Sequence, residues 1–390
     1  MFGVLWSNLN ESYSPATPDS NLQYGLEFAQ IWIVEGRFYT LLGLLFGIGF
    51  ATQLVRAAAR GADTRGLFLR KMAILLGLAM VHGMLIWQGD VLTEYALTGA
   101  TLVLFRKLPP RALLWWAAAM LLVAPYLINA AIVGFGVTFP KAPPVAQAAQ
   151  IFTHGGVGQI IAETTRGYLY WYRRWLSLVF PPFLALFLLG LWIVRVDGLT
   201  WLMARRARLL WVMAISAGVW FVGLSSGSLV ERIWHGSRSR MTLYDALLSA
   251  RAWRPVAMQM LHRLGTWGSA GVYASGIALA ATGPRGAHRT AWLAAVGRMS
   301  LTTYLTQSLV SVLLFYNYGL GWYGRVGYAG ILGIAAVVFL AQMVASAWWL
   351  RRYRFGPAEW LWRSLAYWKR QPMRVGGGEL PSARAAGLSS

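Results

Sequence analysis

The chain contains no cysteine, and only 12% of its residues are charged. The first absence excludes a disulfide framework, a thiolate nucleophile and any cysteine-ligated metal. The second excludes an ordinary soluble domain, in which about a quarter of the residues carry charge. Lysine occurs only at positions 71, 107, 141 and 369, so the basic residues are nearly all arginine, as in a GC-rich bacterial genome. The five histidines stand at 82, 154, 235, 262 and 288 without the paired spacing of a zinc-binding helix, and no metal is expected.

What fills the chain instead is apolar. Some 57% of the residues are hydrophobic, and there are 21 tryptophans. Apolar runs of about 18 to 25 residues recur along the length, each long enough to cross a bilayer core as a helix. The pattern predicts an all-α, polytopic helical bundle of about ten transmembrane helices. The first, Met1 to Leu9, is too short to span and reads as the last half of a helix. The others are expected over 31–55, 69–87, 91–105, 112–137, 176–196, 209–229, 266–282, 299–318 and 326–350. Pro125 should kink the fifth. Residues 138–174 and 230–263 read as long connecting segments, the latter partly amphipathic. A membrane unit over 1–355 is followed by an aromatic, basic interfacial helix over 356–374 and a disordered tail over 375–390.

A formal charge of +22 would point to nucleic acid in a soluble protein. Here the arginines gather in short loops between the runs, which is the positive-inside pattern, and face anionic headgroups. Placing the Asn10–Gln30 loop outside puts 23 Lys or Arg inside against 11 outside, with Arg37 left in a span. The chain is read as a multi-pass protein of the bacterial cytoplasmic membrane with both ends cytoplasmic. Its expected partners are membrane lipids and a small molecule or glycan, not nucleic acid; an oligomer is compatible with the sequence.

Ionisable side chains in or beside a bilayer are costly and default to functional candidates. In this topology Glu35, Arg37, His82, Asp90 and Glu94 converge near one face. A histidine held by Asp90 or Glu94 suits a general base, which must reach the proton it removes; a structural histidine in a packed bundle is the alternative. Glu35 and Arg37, two apart on a helix, cannot face each other. An Arg37–Asp90 or Arg37–Glu94 pair is therefore expected, either binding substrate or fixing topology. On the ninth run Ser300, Tyr304, Gln307, Ser308 and Ser311 make one polar stripe, which either lines a donor or solute path or hydrogen-bonds between helices. Arg298, at its cytoplasmic end, would meet a CoA phosphate or a lipid phosphate. Gly43 and Gly47 would admit another helix closely. Two motifs mislead. Residues 154–158, HGGVG, resemble an oxyanion loop, and 223–227, GLSSG, match a nucleophile elbow. That elbow needs a strand-to-helix turn, whereas Ser225 sits in an apolar helical run.

Four segments resemble the bacterial YeiB-like family, whose C-terminal part is catalogued as domain of unknown function 418, here about 220–375. They are 36–50 (GRFYTLLGLLFGIGF), 82–99 (HGMLIWQGDVLTEYALTG), 297–319 (opening GRMSLTTY) and 354–374 (opening RFGPAEW). The Leu-Arg-Gly half of that family's usual first span is absent here. The resemblance implies a distant similarity to transmembrane acyltransferases, in which a cytoplasmic acyl-CoA donates to an outer-face sugar, glycan or small molecule. His82 would be the base and Asp90 its orienter. Glu35, Arg37, Glu94, Arg298, Tyr304, Gln307 and Ser308 would be substrate contacts. A small-solute transporter or channel, in which the same groups relay protons, and a non-catalytic membrane scaffold are the alternatives.

Overall fold

The computed structural model describes residues 1–14, 20–59, 65–135, 144–234, 253–283 and 286–375. The expected tail from 376 onward, and 235–252 of the long 230–263 segment, lie outside the described residues. Within them every extended element is a helix, and there is no strand. In chain order these are α1 (Phe2–Tyr13), α2 (Asn21–Ala29), a π-turn (Gln30–Val34), α3 (Arg37–Ala59), α4 (Arg65–Leu85) and α5 (Leu92–Phe105). Next come α6 (Pro110–Leu122), α7 (Ala124–Gly134), α8 (Val145–His154), α9 (Val157–Leu178), α10 (Phe180–Arg195) and α11 (Gly198–Met203). The remainder are α12 (Arg206–Trp234), α13 (Trp253–Ala281), α14 (Gly286–Arg298), α15 (Ser300–Phe315), α16 (Tyr328–Leu350) and α17 (Pro357–Tyr367).

Among the described residues four stretches are long and apolar enough to cross a membrane: Asn21–Arg56, Arg65–Leu85, Arg206–Gly223 and Tyr328–Leu350. Shorter apolar helices, α5, α6, α10 and α15, pack among them. Such helices suggest a membrane protein. On α16, which has no charged residue, Val337, Leu340 and Val344 all stand more than half exposed, a surface suited to lipid tails.

The Asn21–Arg56 stretch is not one rod. As a continuous helix its 36 residues would run about 54 Å, well beyond a hydrocarbon core of about 30 Å. The π-turn and a break at Gly36, whose φ is +72°, divide it, and α3 starts afresh at Arg37. The expected fifth run is likewise broken. Its helix ends at Leu122 and resumes at Ala124, so Pro125 falls in the first turn of α7, where its missing N–H costs nothing. Pro181 and Pro182 take the same position in α10 rather than interrupting a longer span. The 138–174 segment, read from sequence as a connection, holds α8 and most of α9.

Glycine sets two close helix crossings. A Cβ on Gly47 would stand 2.8 Å from the Phe187 Cα, and one on Gly190 would stand 2.7 Å from the Gly47 carbonyl carbon, so α3 and α10 meet main chain to main chain. A Cβ on Gly265 would stand 2.7 Å from the Gly223 Cα, and one on Gly268 would stand 2.6 Å from the Trp220 nitrogen. Gly223 thus belongs to the α12–α13 crossing. The GLSSG motif lies within α12, with no strand to make an elbow.

The interfacial helix α17 is docked rather than loose. Glu359 accepts hydrogen bonds from the main-chain N–H of Leu301 (2.7 Å) and Thr302 (3.2 Å) and from the Thr302 hydroxyl (2.5 Å). These amides are first-turn donors of α15 that the helix cannot satisfy itself, and the negative charge suits that end. Trp362 Nε1 donates to the Lys71 carbonyl of α4 at 2.8 Å. Replacing Glu359 by Ala should cost about 1–3 kcal/mol, read as a lower melting midpoint of detergent-purified protein.

Candidate functional site

The site begins where α4 ends. The main-chain N–H groups of Ile86 and Trp87 both bond to the His82 carbonyl (3.0 Å each), closing the helix, and Trp87-Gln88-Gly89 turns the chain into Asp90. His82 and Asp90 are each 1% exposed. His82 Nδ1 and Asp90 Oδ1 are 2.8 Å apart. Asp90 Oδ2 accepts from the Thr93 N–H (2.8 Å) and the Thr93 hydroxyl (2.9 Å), and so caps a first-turn amide of α5 from just before its N-cap, Val91. One carboxylate therefore fastens two helices. An ionised Asp90 only accepts, so in neutral His82 the hydrogen sits on Nδ1 and the lone pair on Nε2. That Nε2 is buried and has no partner.

Two further helices, α15 and α9, hold the pair. The Tyr304 ring lies 5.3 Å from the imidazole, centroid to centroid, and its hydroxyl accepts from the Val91 N–H at 3.1 Å. From α9, the Tyr172 hydroxyl donates to the Asp90 carbonyl (2.7 Å), the Tyr168 hydroxyl meets the Thr93 hydroxyl (2.8 Å), and Trp171 Nε1 donates to Glu94 Oε1 (3.1 Å). Gly83 gives α9 its room, since a Cβ there would run into the Tyr168 ring. Glu94 is 1% exposed, and its second oxygen, Oε2, is buried without a partner.

Beside this cluster lies a cavity of about 780 Å³, within the range of small-molecule sites. Its walls come from α1, the Gly36 break, the Trp87–Asp90 turn, α5, α9, α10 and α13. Asp90 and Glu94 line it, while His82 stands behind Asp90. Phe152, Tyr316 and Tyr323 close one side, with the Phe152 and Tyr316 rings stacked at 4.6 Å. Burial pushes the Tyr323 phenol above its ordinary pKa. Among the described residues no group of three or more His, Asp or Glu side chains is placed to hold a metal.

The structure brings His82, Asp90, Glu94 and Tyr304 together, and Glu35 joins Asp90 and Glu94 on the cavity wall. Arg37 departs from expectation. It is 3% exposed, but its guanidinium turns back to donate to the carbonyls of Ile31 (2.7 Å) and Glu35 (2.5 Å) and forms no pair with Asp90 or Glu94. The π-turn and the Gly36 break leave those carbonyls without helical partners, and the arginine supplies them. Gln307 bonds across to Gln342 of α16 (2.8 Å), and Ser308 and Ser311 donate to the carbonyls of Tyr304 (3.4 Å) and Gln307 (2.7 Å). The void beside that stripe is about 10 Å³, room for about one water and not for a chain. Gln307 thereby ties α15 to α16, while Ser308 and Ser311 bond back within α15. Arg298 is exposed at the end of α14, on the side of Glu359 and away from the cluster.

Sequence reading missed the α9 contribution. Its signal was there: Tyr168, Trp171 and Tyr172 fall at helical spacing, downstream of the buried Glu163 and Thr164.

Over the described residues, fold and site together define a helical protein with several apolar helices and a buried His–Asp pair beside a mainly apolar cavity that carries acidic side chains. Known proteins place it more closely. The family described as "Protein of unknown function (DUF418)" has a model that matches residues 203–369. The uncharacterized protein YxaH of Bacillus subtilis (strain 168) is 29% identical over 399 residues, covering 96% of this chain and 93% of the relative. The uncharacterized protein YeiB of Escherichia coli (strain K12) is 29% identical over 370 residues, covering 85% of this chain and 82% of the relative. An uncharacterized 39.9 kDa protein in the amylase 3' region of Bacillus acidopullulyticus is 25% identical over 357 residues, covering 88% of this chain and 83% of the relative. The chain is thus similar over most of its length to the uncharacterized proteins YxaH and YeiB, and its residues 203–369 match the DUF418 model. No solved structure matches it.

Proposed function

We propose that the protein is a transmembrane acyltransferase-like enzyme of the bacterial cytoplasmic membrane, with about ten crossings and both termini cytoplasmic. The observation that carries this is the unpartnered Nε2 of His82, whose Nδ1 is held by an Asp90 that is itself anchored twice. A base oriented by a third group is the arrangement that activates a hydroxyl or amine. Such a role accounts for a buried ring nitrogen with no protein partner. A bound acyl-CoA supplies the activated thioester. His82 Nε2 takes the proton of the acceptor as its oxygen or nitrogen bonds to the thioester carbon. The C–S bond breaks, and His82 returns the proton to the leaving thiolate. Asp90 is a positioning residue. Arg298 stands where a phosphate of the donor or of a lipid would meet it. His82 lies eleven residues beyond Lys71 on α4, about 16 Å, so the donor's extended arm would have to reach that far.

The rival is proton-coupled solute transport. It is favoured by one observation: Asp90, not His82, faces the cavity. The test uses the absence of cysteine. A thiol reagent added to purified protein with acetyl-CoA and sugars or amino sugars detects only released CoA. Acceptor-dependent thiol release, with acetyl-CoA raising the melting midpoint, supports the transferase. No release and no protection, with gradient-driven uptake into proteoliposomes, would replace it with the transporter.

A further inference from the structure

We infer that the cavity binds an organic ammonium ion, so that the acceptor, or the solute, carries an amine. In the transferase form this rests on the reading above; as a binding site it does not. The chain is strongly basic, with 35 Lys and Arg against 13 Asp and Glu, yet five of those 13 acids line this one cavity. They are Glu11, Glu35, Asp90, Glu94 and Glu163. The positive charge near them is smaller. Arg263 is on the wall, Arg166 pairs with Glu163 at 2.8 Å, and Arg37 sits beneath Glu35 on main-chain carbonyls. A pocket built for phosphate or carboxylate would show the reverse balance.

Acidity alone would not define a ligand. Glu94 does so independently. It is 1% exposed and lines the cavity, and Trp171 satisfies one oxygen while the other has no donor. A carboxyl oxygen left unpaired in such surroundings is costly, and the structure offers it nothing from the protein. An ammonium group brings three N–H donors and a positive charge to that atom. The walls also carry Tyr39, Trp87, Trp171 and Trp267, whose ring faces attract cations. A neutral polyol would satisfy the hydrogen bond but neither the charge balance nor the rings.

The experiment compares matched twins on detergent-purified full-length protein with no acyl donor present. Glucosamine and glucose form one pair, 1,6-diaminohexane and 1,6-hexanediol the other. Binding is read as a concentration-dependent shift of the melting midpoint. The amine of at least one pair should bind tenfold or more tightly than its neutral twin. Glu94→Gln, which keeps an oxygen for Trp171, should remove most of that preference, and so in part should Glu35→Gln, whose exposed side chain leaves folding intact. Equal shifts from both members of each pair, or an amine preference unchanged in both variants, would overturn the inference. Ammonium binding without thiol release would sink the transferase reading and leave the ligand class standing. Thiol release with hydroxyl sugars and no amine preference would do the opposite.

Discussion

His82→Ala should abolish all but a residue of turnover, a fall of about 10²- to 10⁴-fold in acceptor-dependent thiol release, while the protein still purifies folded. Asp90→Asn should fall as far by a different route. The Asn amide is nearly the same shape, and its oxygen can still cap α5 by accepting from Thr93. Its nitrogen then faces the imidazole and donates to Nδ1, so the ring hydrogen moves to Nε2 and the lone pair needed there is gone. Asp90→Ala loses the cap as well, adding about 1 kcal/mol of destabilisation. The three variants separate chemistry from folding: kinetics should rank Ala and Asn together, and melting should rank them apart. Full turnover in Asp90→Asn would mean that the imidazole is structural.

The second large effect is on folding. Gly190→Leu should yield no folded protein, because the side chain would enter the space of the Gly47 main chain where α3 and α10 cross. Even Gly190→Ala overfills a contact with no flexible side chain to yield, at about 1–3 kcal/mol. Gly49→Ala, on the facing helix α3, is the control. Nothing lies within 4 Å of a Cβ there, and alanine gains about 1 kcal/mol in helix propensity. Detergent-resistant yield and melting midpoint measure both. A stable Gly190→Leu protein would show that the crossing is looser than drawn.

The two outcomes bear on what was legible beforehand. Apolar runs such as 65–85 and 328–350 announce themselves, because hydrocarbon thickness dictates both their length and their composition. His82 and Asp90 were readable as a pair of candidates because only a short turn, with Trp87 and Gly89, separates them. Gly43 and Gly47 marked a close approach, though not that Gly190 of α10 would be its other half. Arg37 was misjudged for a definite reason. Its partners are carbonyls freed by a π-turn and a positive φ at Gly36, and hydropathy does not register either. Tyr168, Trp171 and Tyr172 were passed over because Glu163, Arg166, Arg173 and Arg174 lower the hydropathy of α9 below that of a span. Helical period, not hydropathy, was the signal for that helix. Arg298 and the α15 stripe share one run of sequence, yet Arg298 ends α14 while Tyr304 lies on α15, so the two meet different neighbours.

Asp90 leaves a last consequence. With one oxygen on an imidazole and the other on the opening amide of a helix, it cannot be adjusted for one duty alone. Any event that changes what the ring asks of it, whether a proton arriving or a ligand tugging, must also tighten or slacken the first turn of its own helix. Chemistry and local mechanics there share a single joint.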